Sequence, residues 1–220
     1  MATDEAPIVA PTRTERAARL HGIYAIVNAD ERALTLAQAA LDAGVRVVQY
    51  RAKSGIDATQ LQTLRARTRA LGALLIVNDD WRAALAFDCD GVHLGPDDEG
   101  FAAVAPVRAV LGERLIGLSC GSVAEAERAG EEDADYLGVG SVYATGSKAD
   151  AGEPIGIEGL RRVAAVSRYP VAAIGGIGAA QLGEVCRSGV AMAAVISALA
   201  SASDARRAAR ALVEAWNAGA

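Results

Sequence analysis

From Gly22 onward the chain alternates between two kinds of segment. Short apolar runs lie at Gly22–Asn28, Val45–Tyr50, Ala73–Asn78, Gly91–Leu94, Leu115–Ser119, Tyr136–Gly140, Val171–Ile174 and Ala191–Ile196. Most are rich in Val and Ile and carry few charges, the pattern of parallel strands buried on both faces. Between them run Ala-, Leu- and Arg-rich stretches of helical period: Glu31–Ala43, Thr59–Leu71, Trp81–Phe87, Gly100–Leu111, Val123–Gly130, Ile157–Ser167, Ala180–Ser188 and Asp204–Trp216. Gly44, Gly72, Gly130 and Gly189 stand where such helices would stop. Eight strands in strict alternation with eight helices predict an α/β fold, a single (β/α)8 TIM barrel over residues 19–220, at the short end for that architecture. The rival is a doubly wound open sheet, which has fewer strands and a Gly-rich turn after the first one. Here that turn reads Asn28-Ala29-Asp30, without glycine. Residues 1–18 are polar with no sustained period and read as an N-terminal tail or a loosely attached first helix.

A parallel barrel builds its site from the C-terminal ends of strands and the loops that follow. Strand 2 ends in Gln49-Tyr50-Arg51-Ala52-Lys53. Alternation puts Val45, Val47, Gln49 and Arg51 on one face, with Lys53 beyond, so two cations climb one side of the mouth. Asn78-Asp79-Asp80 follow strand 3. A helix cap would account for one of the three, not for all. His93, near the end of strand 4, reads either as a satisfied core histidine or as a site residue, and Asp97-Asp98 open the next loop. Asp79 and Asp98 together suit one hard cation such as Mg²⁺, which takes one or two carboxylates and completes its shell with water and phosphate. Ser119 ends strand 5 as a hydrogen-bond donor; Cys120 has no sequence-evident histidine to activate it. The loop after strand 6 carries Thr145, Gly146, Ser147 and Lys148, suited to hold a phosphate or close over a ligand, although a plain surface loop has similar composition. Gly175 and Gly176 after strand 7, with Ser197 after strand 8, predict a phosphate site built from backbone N–H groups. Arg51, Lys53 and Lys148 plus a divalent ion, less two carboxylates, leave about +3, against roughly −3 on a diphosphate. A diphosphate so held is a good leaving group.

Composition narrows the classes. Hydrophobic residues are 52% of the 220, too many for a disordered chain. The net charge is −5 and no basic cluster occurs, which argues against a nucleic-acid partner. No apolar run reaches the ~18 residues of a membrane span. The N-terminus lacks the basic start and apolar stretch of a secretory signal, so a cytoplasmic location is expected. Cys89, Cys120 and Cys186 are far apart with no C-x-x-C spacing, which points to a reducing compartment and packed thiols. Aromatic residues are only 4%, so Ala, Val, Leu and Ile must build the core.

Taken in order, the motifs Gln49-Tyr50-Arg51-Ala52-Lys53, Val77-Asn78-Asp79-Asp80, Asp90-Gly91-Val92-His93-Leu94-Gly95, Thr145-Gly146-Ser147-Lys148, Ile174-Gly175-Gly176-Ile177 and Ile196-Ser197 resemble the thiamine-phosphate synthase family from about Gly22 to Ala200. The resemblance implies a (β/α)8 enzyme that joins hydroxymethylpyrimidine diphosphate to a thiazole phosphate, or its carboxylated precursor, and releases diphosphate. It implies that Gln49, Tyr50, Arg51, Ala52, Lys53, Asn78, Ser119 and Lys148 bind the pyrimidine diphosphate. Among these, Arg51, Lys53, Lys148 and Ser119 would act in catalysis. Thr145, Gly146, Ser147, Gly176, Ile196 and Ser197 would hold the thiazole phosphate, and Asp79 and Asp98 would hold Mg²⁺. The implied mechanism is dissociative and needs no protein nucleophile. The implied partners are small phosphorylated molecules; a homodimer is the assembly expected of small barrels in general. Pro96 stands where a Gln is expected, Gly121 where many relatives carry a His, and Ser147 where Thr is commoner. Two alternatives differ in chemistry. A sister group, the thiazole tautomerases, would use a histidine near Gly121 and no diphosphate cations. A non-catalytic barrel that senses a thiamine intermediate would have lost Asp79, Asp98 or Lys148.

Overall fold

The computed structural model describes residues 10–147 and 152–220. Eight parallel strands close into a barrel in sequence order. They are β1 (Gly22–Asn28), β2 (Val47–Arg51), β3 (Leu74–Asn78), β4 (Gly91–Leu94), β5 (Leu115–Cys120), β6 (Tyr136–Val139), β7 (Val171–Ile174) and β8 (Met192–Val195). β8 pairs back onto β1, with Gly22 opposite Met192, so the sheet has no free edge. This is the expected TIM barrel, and each expected strand is present with its ends moved by at most two residues.

The helices are α1 (Arg13–Ala17), α2 (Ala33–Asp42), α3 (Ala58–Ala70), α4 (Trp81–Ala86), α5 (Val104–Leu111), α6 (Val123–Ala129), α7 (Gly156–Val166), α8 (Ala179–Cys186), α9 (Ser197–Ala200) and α10 (Ala205–Gly219). α5 starts four residues later than the sequence pattern suggests, because Gly100 takes φ +94°, outside any right-handed helix. α9 was not expected; one turn is too short to display a period. Side chains of Asp57, Asp80, Ser122 and Asp204 cap α3, α4, α6 and α10, each accepting from a first-turn N–H.

Alternation along the strands sorts the core into two layers. Tyr24, Ile26, Val47, Leu74, Ile76, Leu115, Tyr136 and Met192 fill the barrel. The opposite parity, including Ala25, Val48, Tyr50, Val77, Val92 and Leu137, packs under the helices. Val45 belongs to this outer layer and precedes β2, so the inward face of that strand starts at Val47 rather than at Val45.

At the N-terminal end of the barrel two aspartates repeat one arrangement. Asp90, just before β4, accepts from Leu75 N–H at 3.0 Å and pairs with Arg65 of α3 at 2.8 Å. Asp135, just before β6, accepts from Ile116 N–H at 2.7 Å and pairs with Arg108 of α5. α1 reaches both, through Arg16 to Asp90 at 3.3 Å and Arg13 to Asp135. Arg16 and Asp90 are only 3% and 4% exposed, and Leu20 packs on the barrel interior behind them. α1 is therefore an anchored plug, not a loosely attached segment.

Candidate active site

The opposite, C-terminal end opens into a cleft of about 370 Å³. Of the residues singled out in the sequence, Gln49, Arg51, Lys53, Asn78, Asp79, Asp98, Ser119, Thr145, Ser147, Gly176, Ile196 and Ser197 line it. Lys148 lies outside the described residues. Tyr50 and Ala52 do not line the cleft. Strand alternation turns Tyr50 into the outer layer, where it is fully buried and its hydroxyl accepts from Asp57 N–H at 3.3 Å. Ala52 packs against the same layer. Gly146 sits between two lining residues without lining the cleft itself.

One wall is charged. Gln49 and Arg51 alternate up β2, and Arg51 donates to Asn28 Oδ1 at 3.1 Å. The run after β3 divides its labour. Asp80 caps α4 by accepting from Ala83 N–H at 2.8 Å, whereas Asn78 and Asp79 face the cleft. Asp79 takes φ +67°, a left-handed backbone that Asp tolerates better than most residues. Asp98 accepts from Gly95 N–H at 2.6 Å, which fixes its loop, and meets Asp79 carboxyl to carboxyl within hydrogen-bond reach. Burial first, and Asp98 second, push the Asp79 carboxyl up to about 6, although Lys53 and Arg51 pull the other way. Two facing carboxylates, only partly offset by Lys53 and Arg51, fit a hard divalent cation between them. Among the described residues no group of three or more His, Cys, Asp or Glu side chains gathers. The donor set is thus two carboxylate oxygens, which suits Mg²⁺ with water and phosphate completing its shell.

The other wall is uncharged. The segment after β6 stays paired to β7, with Val142 N–H on Ile174 O at 2.9 Å and Tyr143 N–H on Gly175 O at 3.0 Å. Gly175 and Gly176 take φ +102° and +65°. A Cβ on Gly175 would meet Ser141 Oγ at 2.2 Å, and one on Gly176 the Ala144 carbonyl at 2.6 Å. Only glycine permits both the turn and the close approach. This contact carries Thr145 and Ser147 over the cleft beside Ser197, which opens α9.

The structure adds the partners of His93 and a further lining residue, Glu125. His93 lines the cleft, with Nε2 3.2 Å from Ser119 Oγ and Nδ1 3.2 Å from Tyr136 Oη. His93 and Ser119 are 26 residues apart in the chain and meet only through the register of β4 and β5. Glu125 of α6 also lines the cleft and accepts from Gly121 N–H at 2.6 Å. Cys120 is buried, and burial raises its thiol, so it is no ready nucleophile. Cys89 is likewise buried and pushed up to about 12.

Comparison with known proteins agrees with this geometry. Residues 23–199 match the family described as thiamine monophosphate synthase. The chain is 50% identical over 183 residues to a thiamine-phosphate synthase of Archaeoglobus fulgidus, covering 81% of this chain and 84% of that one. It is 44% identical over 178 residues to one from Chloroflexus aurantiacus, covering 80% and 81%. The solved thiamine phosphate pyrophosphorylase of Pyrococcus furiosus superposes with a TM-score of 0.81 at 36% identity, over 92% of this chain and 98% of that one. With the match spanning nearly the whole barrel and every strand end that builds the cleft, the chain belongs to the thiamine monophosphate synthase family.

Proposed function

We propose that the chain is a thiamine-phosphate synthase that joins an aminopyrimidine methyl diphosphate to a thiazole phosphate, giving thiamine phosphate and diphosphate. The observation that carries this reading is one cleft with two unlike sets of lining residues, Arg51 and Lys53 beside two carboxylates, and Thr145, Ser147, Gly176 and Ser197. The diphosphate lies on the first wall, held by Arg51, Lys53 and Asn78. The single phosphate lies on the second, taking hydroxyls from Thr145, Ser147 and Ser197 and backbone N–H groups around Gly176.

The reaction breaks the C–O bond between the pyrimidine methylene and the diphosphate, and the electron pair leaves with the diphosphate. The electron-rich aminopyrimidine stabilises the resulting cation, and the thiazole nitrogen attacks it to form the new C–N bond. Arg51 and Lys53 stabilise charge as it develops on the leaving group, and the two walls hold the reacting carbon and nitrogen in line. Asp79 and Asp98 would hold Mg²⁺, which when bound neutralises part of the diphosphate charge. No helix among the described residues is long and apolar enough to cross a membrane. Three free cysteines, two of them buried, support a reducing compartment such as the cytoplasm.

His93 in the cleft is an observation that touches the tautomerase alternative. It comes from β4, however, and its second nitrogen faces a phenol rather than a carboxylate, while Arg51 and Lys53 line the same cleft. The deciding assay mixes the protein with both substrates, with Mg²⁺ or with chelator, and follows thiamine phosphate and diphosphate. Both products should appear, and only with the metal. Asp98→Ala should lose at least about a hundredfold in turnover, since charge stabilisation at a leaving group is worth several kcal/mol, while binding thiazole phosphate as the wild type does. Absence of product in the wild type would overturn the reading; full turnover in Asp98→Ala would remove the metal assignment.

A further inference from the structure

The barrel interior holds a continuous chain of hydrogen bonds that the reaction as described does not use. Gln49 Nε2 lies 2.7 Å from Tyr24 Oη, Tyr24 Oη 2.9 Å from Tyr136 Oη, Tyr136 Oη 3.2 Å from His93 Nδ1, and His93 Nε2 3.2 Å from Ser119 Oγ. Five strands contribute, and both ends of the chain open on the cleft. Tyr24, Tyr136 and Gln49 are at most 2% exposed. The space is built for it: a Cβ on Gly117 would strike the Tyr136 ring at 2.1 Å, and one on Gly138 would meet His93 Cε1 at 2.7 Å.

The Gln49 amide, with Nε2 toward Tyr24, sets the direction of the chain. Gln49 Nε2–H donates to Tyr24, so the single phenol proton of Tyr24 is available only to Tyr136. Were Tyr136 to donate instead, the buried Tyr24 proton would have no acceptor, which folded proteins avoid. Tyr136 in turn donates to His93 Nδ1. The imidazole then carries its proton on Nε2 and donates to Ser119. Gln49 is left with Oε1 and one amide hydrogen for the cleft, in a fixed left-right order, and Ser119 keeps its hydroxyl proton to donate.

We propose that Tyr24, Tyr136 and His93 are positioning residues that lock the orientation of the Gln49 amide, so that the cleft reads the order of donor and acceptor on the pyrimidine. This rests on the transferase reading above. An amide edge pairs with two adjacent groups, one acceptor and one donor. An aminopyrimidine presents an N–H donor beside a ring-nitrogen acceptor; a 4-oxo pyrimidine presents the reverse. With the amide locked, the oxo compound leaves a mispaired edge. With the lock broken, the amide turns over and accepts it.

The test compares 4-amino and 4-oxo pyrimidine methyl diphosphates as substrates for the wild type and for Tyr136→Phe, which keeps the ring in its tight seat and removes one hydroxyl. Selectivity for the amino compound, as the ratio of kcat/KM, should fall about tenfold or more. The loss should sit in KM for the pyrimidine substrate, with KM for thiazole phosphate unchanged; a general folding defect would move both. Unchanged selectivity in Tyr136→Phe overturns the proposal. A second measurement needs no turnover. The chain has two histidines, so ¹⁵N spectra of histidine-labelled protein are readily assigned with the help of His21→Gln. His93 should carry its proton on Nε2 in the wild type and become a tautomer mixture in Tyr136→Phe. A proton on Nδ1 in the wild type reverses the chain and overturns the proposal. Lack of any product in the wild type would instead count against the transferase reading, and the tautomer would still decide the lock.

Discussion

Asp79 faces Asp98 across a gap short enough for a hydrogen bond, and burial together with that neighbour holds its carboxyl at about 6 rather than 3.8. Between those values the folded protein keeps a proton that the unfolded chain has released, so stability falls as pH rises through the window. Metal-free protein should therefore lose thermal stability between pH about 4 and about 6, and Asp79→Asn should lose less. Mg²⁺ should raise the melting temperature more at pH about 7.5 than at about 5, because the cation needs the ionised pair. Equal shifts at both pH values would remove Asp79 as a ligand. At this scale the sequence is legible where polar residues outnumber their structural uses. Asn78-Asp79-Asp80 exceed what one cap requires, and two of them face the cleft. His93 and Ser119 are not legible as a pair, since each is one polar residue in an apolar strand and only barrel register joins them.

Elements decide which neighbour does which work. Asp80 and Asp79 are adjacent and chemically identical, yet one ends its strand toward the cleft and the other caps α4. Asp80→Ala should cost about 0.5–2 kcal/mol in urea denaturation, the usual value of a cap, with turnover unchanged. A large loss of turnover with no loss of stability would reverse the two assignments. Strands and long helices could be read from the sequence because burial on both faces, or on one stripe, imposes a period. α9 could not, because one turn is too short to show a period. A strand start displaced from Val45 to Val47 keeps the same parity, which is why Gln49 and Arg51 were placed facing inward even so.

Across the whole molecule, chemistry and anchorage occupy opposite ends of one barrel. The C-terminal end holds the cleft, and the N-terminal end holds Asp90 and Asp135 with their arginines. Asp90→Ala would leave Arg16 buried without a counter-charge and should destabilise the fold by about 3–5 kcal/mol. At a temperature where the variant is folded, KM for both substrates should match the wild type; a changed KM would mean that the two ends are coupled. The barrel was legible as a whole because its alternation repeats eight times. The plug was not, because residues 10–18 carry too few apolar positions to show where they dock.

That plug has a consequence for how the chain is made. Arg16 finds its carboxylate 74 residues downstream, and Arg13 finds Asp135 122 residues downstream. By contrast Asp90 and Asp135 take their backbone partners from only 15 and 19 residues away. A ribosome therefore delivers each aspartate together with the strands it pins, while α1 meets Asp90 only after three strands have followed it and Asp135 only after five. α1 is thus seated only after more than half of the strands it anchors have been made.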